Sequence, residues 1–121
     1  MNKVYSHCVA IPFYNRFEQV KNCLDKLLKQ ALPETKILLV DDGSTSEFDI
    51  TPYSNYPVFM VKHDKNRGIG AARNTIINWC NNNAIEVVIM IDSDCAPESN
   101  FITEHVRLHK ENPSAACIGG G

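Results

Sequence analysis

The chain has 121 residues, of which 44% are hydrophobic and 21% are charged, and its formal net charge is −2. This length supports one domain with a single core, and the near-neutral charge argues against a protein that binds nucleic acid. No apolar run approaches the roughly 20 residues of a membrane helix, so the sequence predicts no transmembrane segment in this chain.

The first predicted strand covers roughly residues 4–12, and an amphipathic helix follows within 15–32. Apolar side chains of that helix recur at three- and four-residue steps, which indicates one buried stripe. Asn15, with Glu18 three residues later, predicts a capping box at the helix start. The second strand, near 36–41, is continuously apolar, as expected of a strand that is covered on both faces.

The segment 44–56 is polar and predicts a turn with at most a short helix. Beyond it the chain again alternates strand and helix patterns, and the next helix is expected to bury Ile69, Ala72 and Ile76. These later elements are a strand near 57–62, a helix at 68–81, a strand near 86–92, a helix at 98–111 with Ile102 inward, and a weaker strand at 115–119. Alternating strands and helices imply right-handed crossovers, so we predict an α/β fold with a doubly wound, mainly parallel sheet.

Polar segments follow four of the predicted strands. They are PFYNR at 12–16, DDGST at 41–45, HDKNRG at 63–68 and DSDC at 92–95. In a doubly wound sheet, ligands bind at the carboxyl ends of the strands, near the point where the strand order reverses. The sequence therefore concentrates its chemistry on one edge of the sheet.

Asp92 and Asp94 follow the fourth predicted strand at positions i and i+2. On an extended chain such residues project to the same side. Carboxylate oxygens are ligands of Mg²⁺ and Mn²⁺, which often share their site with substrate phosphates. By itself, the pair is equally compatible with a polar turn that ends a strand.

Asp41 and Asp42 follow the second predicted strand and would repel each other unless they accept hydrogen bonds. One possibility is that a carboxylate of this pair accepts hydrogen bonds from an N–H group of a nucleotide base or from ribose hydroxyls. The alternative is an Asx turn with Gly43 at a positive φ angle, and this alternative explains the glycine.

The segment 66–74 (NRGIGAARN) does not directly follow a strand and lacks the third glycine of the dinucleotide-binding motif. Arg67 and Arg73 lie near the start of the second predicted helix, where positive charge favours an anion such as phosphate. Either arginine is also compatible with a solvated surface charge. Tyr14 is able to stack on a flat base or to pack locally.

Together and in this order, the segments VAIPFYNR, LLVDDGST, NRGIGAARN and MIDSDC resemble the nucleotide-binding half of the family 2 glycosyltransferases, which have the GT-A fold. The resemblance runs from about Val4 to the closing IGGG. It implies a Rossmann-like domain that binds a nucleotide-diphosphate sugar, in particular a UDP-sugar. It also implies an inverting transfer of the sugar to a hydroxyl of an acceptor glycan or a lipid-linked glycan.

The same resemblance implies roles for individual residues. Those expected to bind the nucleotide sugar are Pro12, Tyr14, Asp42, Asn66, Gly68, Arg73 and Asp92. Pro12, Tyr14 and Asp42 would face the base. The Mn²⁺ or Mg²⁺ ligands would be Asp92, toward the ribose, and Asp94, toward the diphosphate.

The family's general base and acceptor-binding surface follow the D-x-D motif, and no Asp or Glu of this chain matches that base. We therefore expect the catalytic residue beyond Gly121 and interpret residues 1–121 as a single truncated domain of a longer glycosyltransferase. The alternative is a non-catalytic nucleotide-sugar-binding module that lacks the acceptor half and the base. A receiver-like signalling domain and a D-x-D phosphatase fit poorly, because their acids follow other strands.

The five cysteines are odd in number and show no CxxC spacing. This pattern favours reduced, mostly buried thiols over a disulfide framework or a zinc site. No secretion signal is recognisable at the start of the chain. We therefore expect a cytoplasmic location, and any peripheral contact with the inner membrane face would come from parts outside this chain.

Overall fold

The computed structural model describes residues 6–31, 35–93, 102 and 117–120. Its strands are β1 (His7–Phe13), β2 (Thr35–Asp41), β3 (Val58–Lys62), β4 (Val87–Ile91) and β5 (Cys117–Gly120). The helices are α1 (Phe17–Leu28) and α2 (Ile69–Asn82), and Thr51–Tyr53 forms a 3-10 turn. The strands pair in the order β3-β2-β1-β4-β5, and every pair is parallel. The predicted α/β class with a doubly wound parallel sheet is confirmed.

Strand β1 shows why helices cover both faces of the sheet. Val9 and Ile11 join a buried cluster that contains the inner face of α1. Cys8 and Ala10 join a second buried cluster, which contains the inner face of α2. Because successive side chains of a strand point to opposite faces, a strand buried on both sides is apolar at nearly every position, and His7 at the start of β1 is the exception there.

The order of the strands reverses between β1 and β4. From β1 the chain moves outward through β2 to β3, and it then returns through α2 to place β4 on the other side of β1. In that pair, His7 lies opposite Val87 and Ala10 opposite Met90. The carboxyl ends of β1 and β4 are therefore neighbours, at the position where doubly wound folds bind ligands.

The segment 44–56 contributes to the core, which its polar composition does not predict. The 3-10 turn agrees with the prediction of a turn with at most a short helix, but Phe48 and Tyr53 are buried as well. The Phe48 ring lies edge-on to Phe13 and Phe17, with centroid distances of 5.5 and 5.4 Å. The Tyr53 hydroxyl donates to Asp25 of α1 over 3.2 Å. This segment therefore closes one end of the core.

The predicted capping box at the start of α1 is wrong. The N-cap residue is Arg16, which makes no side-chain capping bond. The Asn15 side chain accepts instead from the backbone N–H and the hydroxyl of Thr45, over 3.0 and 3.1 Å. A tertiary partner has replaced the local one, because the loops after β1 and β2 lie side by side.

Two further predictions concern helices. Ala72 and Ile76 of α2 are buried as predicted, but Ile69 is 58% exposed and that part of the prediction is wrong. Of the helix predicted at 98–111, only Ile102 lies within the described residues. It is helical and fully buried, and its backbone N–H donates to Gln30 Oε1 over 2.7 Å.

The described cysteine side chains agree with the prediction of buried positions. Cys8, Cys23 and Cys80 are buried. The Cys95 and Cys117 side chains lie outside the described part of the chain. Within that part, no helix has the length and apolar character needed to span a membrane.

Candidate functional site

An open pocket of about 540 Å³ lies where the loops after β1 and β4 meet the start of α2. Its lining includes six residues that the sequence indicated: Pro12, Tyr14, Asp42, Asn66, Gly68 and Asp92. Arg73 is exposed and does not line this pocket. Asp94 lies outside the described residues.

Other lining residues were not predicted. Arg16 and Gln19 contribute from the start of α1, and Ser93 follows Asp92. Arg16 adopts a left-handed backbone with φ 54°, which is uncommon for a residue other than glycine. Arg16 belongs to the segment PFYNR that follows β1, but no local sequence pattern indicates that this residue lines the pocket. Gln19 carries no recognisable motif.

Asp42 is the most extensively hydrogen-bonded acid of the pocket, and only 7% of its surface is exposed. Its Oδ1 accepts from the Arg67 backbone N–H over 2.9 Å, and its Oδ2 accepts from the Gly68 N–H over 2.9 Å. Asp42 therefore ties the end of β2 to the loop that leads into α2. Asn66 and Gly68, two walls of the pocket, are carried on that loop.

A third bond to Asp42 comes from His63, which the sequence did not single out. His63 Nδ1 lies 2.8 Å from Asp42 Oδ1, and Nε2 lies 2.8 Å from the Thr75 hydroxyl on α2. The His63 backbone N–H also donates to Asp41 O over 2.8 Å. A histidine after an edge strand carries no local signal for such a partner.

The hydrogen bonds determine the charge state of Asp42. Burial acts to raise the pKa of its carboxyl group, because it penalises the charged form. The bonds from His63, Arg67 and Gly68 act in the opposite direction and outweigh burial, so the pKa of Asp42 lies below its ordinary value. The pocket therefore presents a carboxylate at neutral pH.

Asp41 and Asp42 point to different partners. Asp41 is fully buried, and its Oδ1 accepts from the Ser44 N–H over 2.8 Å. This bond closes the turn at Gly43, whose φ of 79° agrees with the turn predicted there. Among the described residues Asp41 does not line the pocket, whereas Asp42 does.

The loops after β1 and β2 are joined by direct bonds. Besides the Asn15–Thr45 contacts, the Asn15 backbone N–H donates to the Ser44 hydroxyl over 2.7 Å. Tyr14, directly before this junction, is 43% exposed and lines the pocket. Its backbone is thus anchored while its ring remains accessible to a ligand.

The pocket offers chemically distinct surfaces. Tyr14 supplies an aromatic face, Asp42 a carboxylate acceptor and Arg16 a cation, while Asp92 is an exposed carboxylate at the end of β4. Within the described ranges, no group of three or more His, Cys, Asp or Glu residues is placed to hold a metal ion. Such a surface suits a flat heterocycle linked to a charged group.

The model of the glycosyl transferase family 2 matches residues 8–121. The chain belongs to this family. Chondroitin synthase of Escherichia coli is 28% identical to it over 113 residues, which are 91% of this chain and 16% of that enzyme.

Solved structures of glycosyltransferases have the same fold. The crystal structure of S. aureus TarS 1-349 matches with a TM-score of 0.72 and 26% identity, over 88% of this chain and 32% of that one. The mannosyltransferase PcManGT from Pyrobaculum calidifontis, solved in complex with GDP-Man and Mn²⁺, matches with a TM-score of 0.64 and 23% identity, over 81% of this chain and 30% of that one. The chain thus spans a third or less of the length of each protein compared.

Proposed function

We propose that the pocket binds a nucleotide-diphosphate sugar, with a UDP-sugar as the donor, for inverting transfer to an acceptor hydroxyl. The observation that carries this proposal is the convergence of Tyr14, Asp42 and Asp92 on one pocket at the reversal of the strand order. These residues follow three different strands and share no local structure. A common ligand accounts for their convergence.

The base would bind between Tyr14 and Asp42. A carboxylate has about four acceptor positions, and the three bonds to Asp42 leave one of them on Oδ2. Uracil carries an N–H that can donate to this position, and the accessible Tyr14 ring can stack on its face. Guanine also has N–H donors, so the preference for uracil comes from the family resemblance.

The diphosphate would lie toward Asp92. This residue, together with Asp94 beyond the described part, would hold Mg²⁺ or Mn²⁺. The exposed Asp92 carboxylate at the pocket edge fits a hard cation whose other ligands are substrate phosphates. When bound, the cation would neutralise negative charge on the leaving diphosphate. PcManGT, in complex with GDP-Man and Mn²⁺, supports this proposal.

In the transfer, an acceptor hydroxyl forms a bond to the anomeric carbon while the bond from that carbon to the diphosphate oxygen breaks. The hydroxyl proton passes to a general base, and the nucleoside diphosphate leaves with the electron pair. We assign that base, and the binding of an acceptor glycan or lipid-linked glycan, to a segment outside this chain. The small share of the relatives' length that this chain covers supports this division.

Titration calorimetry with UDP and with GDP, each with Mn²⁺ or with EDTA, tests the proposal. We expect UDP binding that Mn²⁺ strengthens, and we expect Asp94→Asn to remove that strengthening. Asp64→Asn is the matched control, because Asp64 is an exposed carboxylate outside the pocket and asparagine can still accept the hydrogen bond that Arg67 donates to it. Equal binding with Mn²⁺ and EDTA would exclude the metal, and tighter binding of GDP would exclude UDP as the preferred nucleotide.

A transfer assay with this chain alone separates the enzyme from the binding module. We expect the chain to bind UDP without transferring sugar to an added acceptor, because the base lies elsewhere. Transfer by the isolated chain would show that the base is among these residues. A longer protein containing the chain that binds but never transfers would favour the non-catalytic module.

A further inference from the structure

We propose that His63 is a positioning residue for the nucleotide pocket: it holds Asp42 so that one oxygen of the carboxylate remains directed at the ligand. This inference rests on the proposed binding of a nucleotide. His63 does not itself line the pocket. Its effect on a ligand would therefore pass through Asp42.

The geometry of the pair supports this role. The side chains of His63 and Asp42 are 8% and 9% exposed, and Nδ1 lies 2.8 Å from Oδ1. An ionised carboxylate only accepts hydrogen bonds, so the Nδ1–H is the donor. A charge-assisted bond shielded from water is stronger than one at the surface. It fixes the rotation of the carboxylate as well as its position.

The bonds to Asp42 divide unevenly between its two oxygens. Oδ1 accepts from both His63 and the Arg67 N–H, which occupies it fully. Oδ2 accepts from the Gly68 N–H and retains one acceptor position. Without the bond from His63, only the backbone N–H groups of two adjacent residues would hold the carboxylate, and its plane could turn about the Cβ–Cγ bond. His63 therefore fixes the direction in which the free acceptor position of Oδ2 points.

The other ring nitrogen holds the imidazole in place. Nε2 lies 2.8 Å from the Thr75 hydroxyl oxygen, and the same oxygen lies 3.0 Å from Ala71 O, so the single hydroxyl proton serves one of these two contacts. The ring thus spans from α2 to the end of β2. Because α2 begins beside the pocket, this chain of bonds links the helix to the carboxylate.

Two substitutions of His63 separate positioning from packing. His63→Asn retains an amide nitrogen in the place of Nδ1 and can still donate to Asp42. His63→Gln carries its amide one bond further out, near the place of Nε2, and retains only the contact with Thr75. Both substitutions remove the ring, so a loss of packing affects the two alike. Asp64→Asn, one position along the same loop, is the exposed control, since the asparagine oxygen can still accept from the Arg67 side chain as Asp64 Oδ1 does over 2.9 Å.

The measurement is the affinity of the 121-residue chain for UDP with Mn²⁺ by calorimetry. We expect His63→Asn and Asp64→Asn to bind within about twofold of the unmodified chain, and His63→Gln to bind about tenfold more weakly, the effect of one lost bond to a charged group. Equal affinities of His63→Asn and His63→Gln would overturn the proposal. So would an affinity of His63→Gln equal to that of the unmodified chain.

Nuclear magnetic resonance supplies a readout that does not depend on ligand binding, and its first part uses the unmodified chain alone. In the unmodified chain we expect a slowly exchanging proton on His63 Nδ1, and a ring Nδ1 without one would overturn the proposal. The amide signals of Arg67 and Gly68 should shift in His63→Gln and remain in His63→Asn. If the unmodified chain fails to bind UDP, the nucleotide assignment fails, whereas these signals still decide whether His63 positions Asp42.

Discussion

A side chain on Gly43 would collide with the backbone of Lys65, since a Cβ built there overlaps the Lys65 carbonyl carbon and lies 2.8 Å from its Cα. The φ angle of Gly43 is 79°, which is itself unfavourable for other residues. The loop that carries Asn66 and Gly68 therefore lies directly on the turn after β2. The position of these two pocket walls therefore requires a residue without a Cβ atom at position 43.

Gly43→Ala should destabilise the chain by about 2 kcal/mol or more, because the backbone strain and the collision add. Gly70→Ala is the matched control, since a Cβ there meets nothing within 4 Å. Alanine is the better helix former, so this control should gain about 0.5–1 kcal/mol. Urea unfolding followed by circular dichroism measures both. Similar midpoints for the two variants would contradict the close approach of the two loops.

The lowered pKa of Asp42 predicts an acid-dependent loss of stability. Because the folded pKa lies below the ordinary value of 3.8, the ionised form stabilises the fold above that value. The contribution disappears as the pH falls through the folded pKa. The difference in urea midpoint between the unmodified chain and Asp42→Asn should thus shrink as the pH falls below 3.8. A difference that does not change down to pH 2 would show that the group keeps its charge there.

Tyr14 provides a test of base stacking with a control of the same residue type. Tyr14 is 43% exposed and lines the pocket, whereas Tyr56 is 52% exposed and lies elsewhere. Tyr14→Ala should weaken UDP binding by about tenfold, within the range found for stacking of a base on an aromatic ring. Tyr56→Ala should leave the affinity unchanged. Calorimetry compares them, and equal losses would remove Tyr14 from the base site.

Arg16 and Arg73 are alternative candidates for the arginine that binds the phosphates of the nucleotide. The family resemblance implies Arg73, but Arg16 lines the pocket and makes no salt bridge among the described residues. We expect Arg16→Ala to weaken UDP binding several-fold at low salt and less at high salt, since ions screen an exposed charge. Arg73→Ala should have the smaller effect. The reverse order would support the family-based assignment and place the phosphates nearer to α2.

The strands, and the edge of the sheet at which the pocket lies, could be predicted from the sequence because both leave a local pattern of apolar and polar residues. Continuous apolar runs identified β2 and β4, and polar residues at their carboxyl ends located the pocket. The sequence did not predict the Asn15–Thr45 bonds or the His63–Asp42 pair. Their partners lie 30 and 21 positions apart, and such contacts are set by strand order and loop path, which local patterns do not encode. Phe48 was missed because it is apolar within a polar segment.

The placement of β4 beside β1 has a consequence for the kinetics of folding. The two sides of the pocket come from strand ends that are separated by nearly the whole described chain, and their pairing aligns His7 with Val87. Closing so long a loop is entropically costly and tends to occur late in folding. A ligand that contacts both Tyr14 and Asp92 therefore finds no complete site until β4 has docked. We expect nucleotide to slow unfolding while leaving the rate of refolding unchanged, so occupancy would protect the finished fold without guiding its formation.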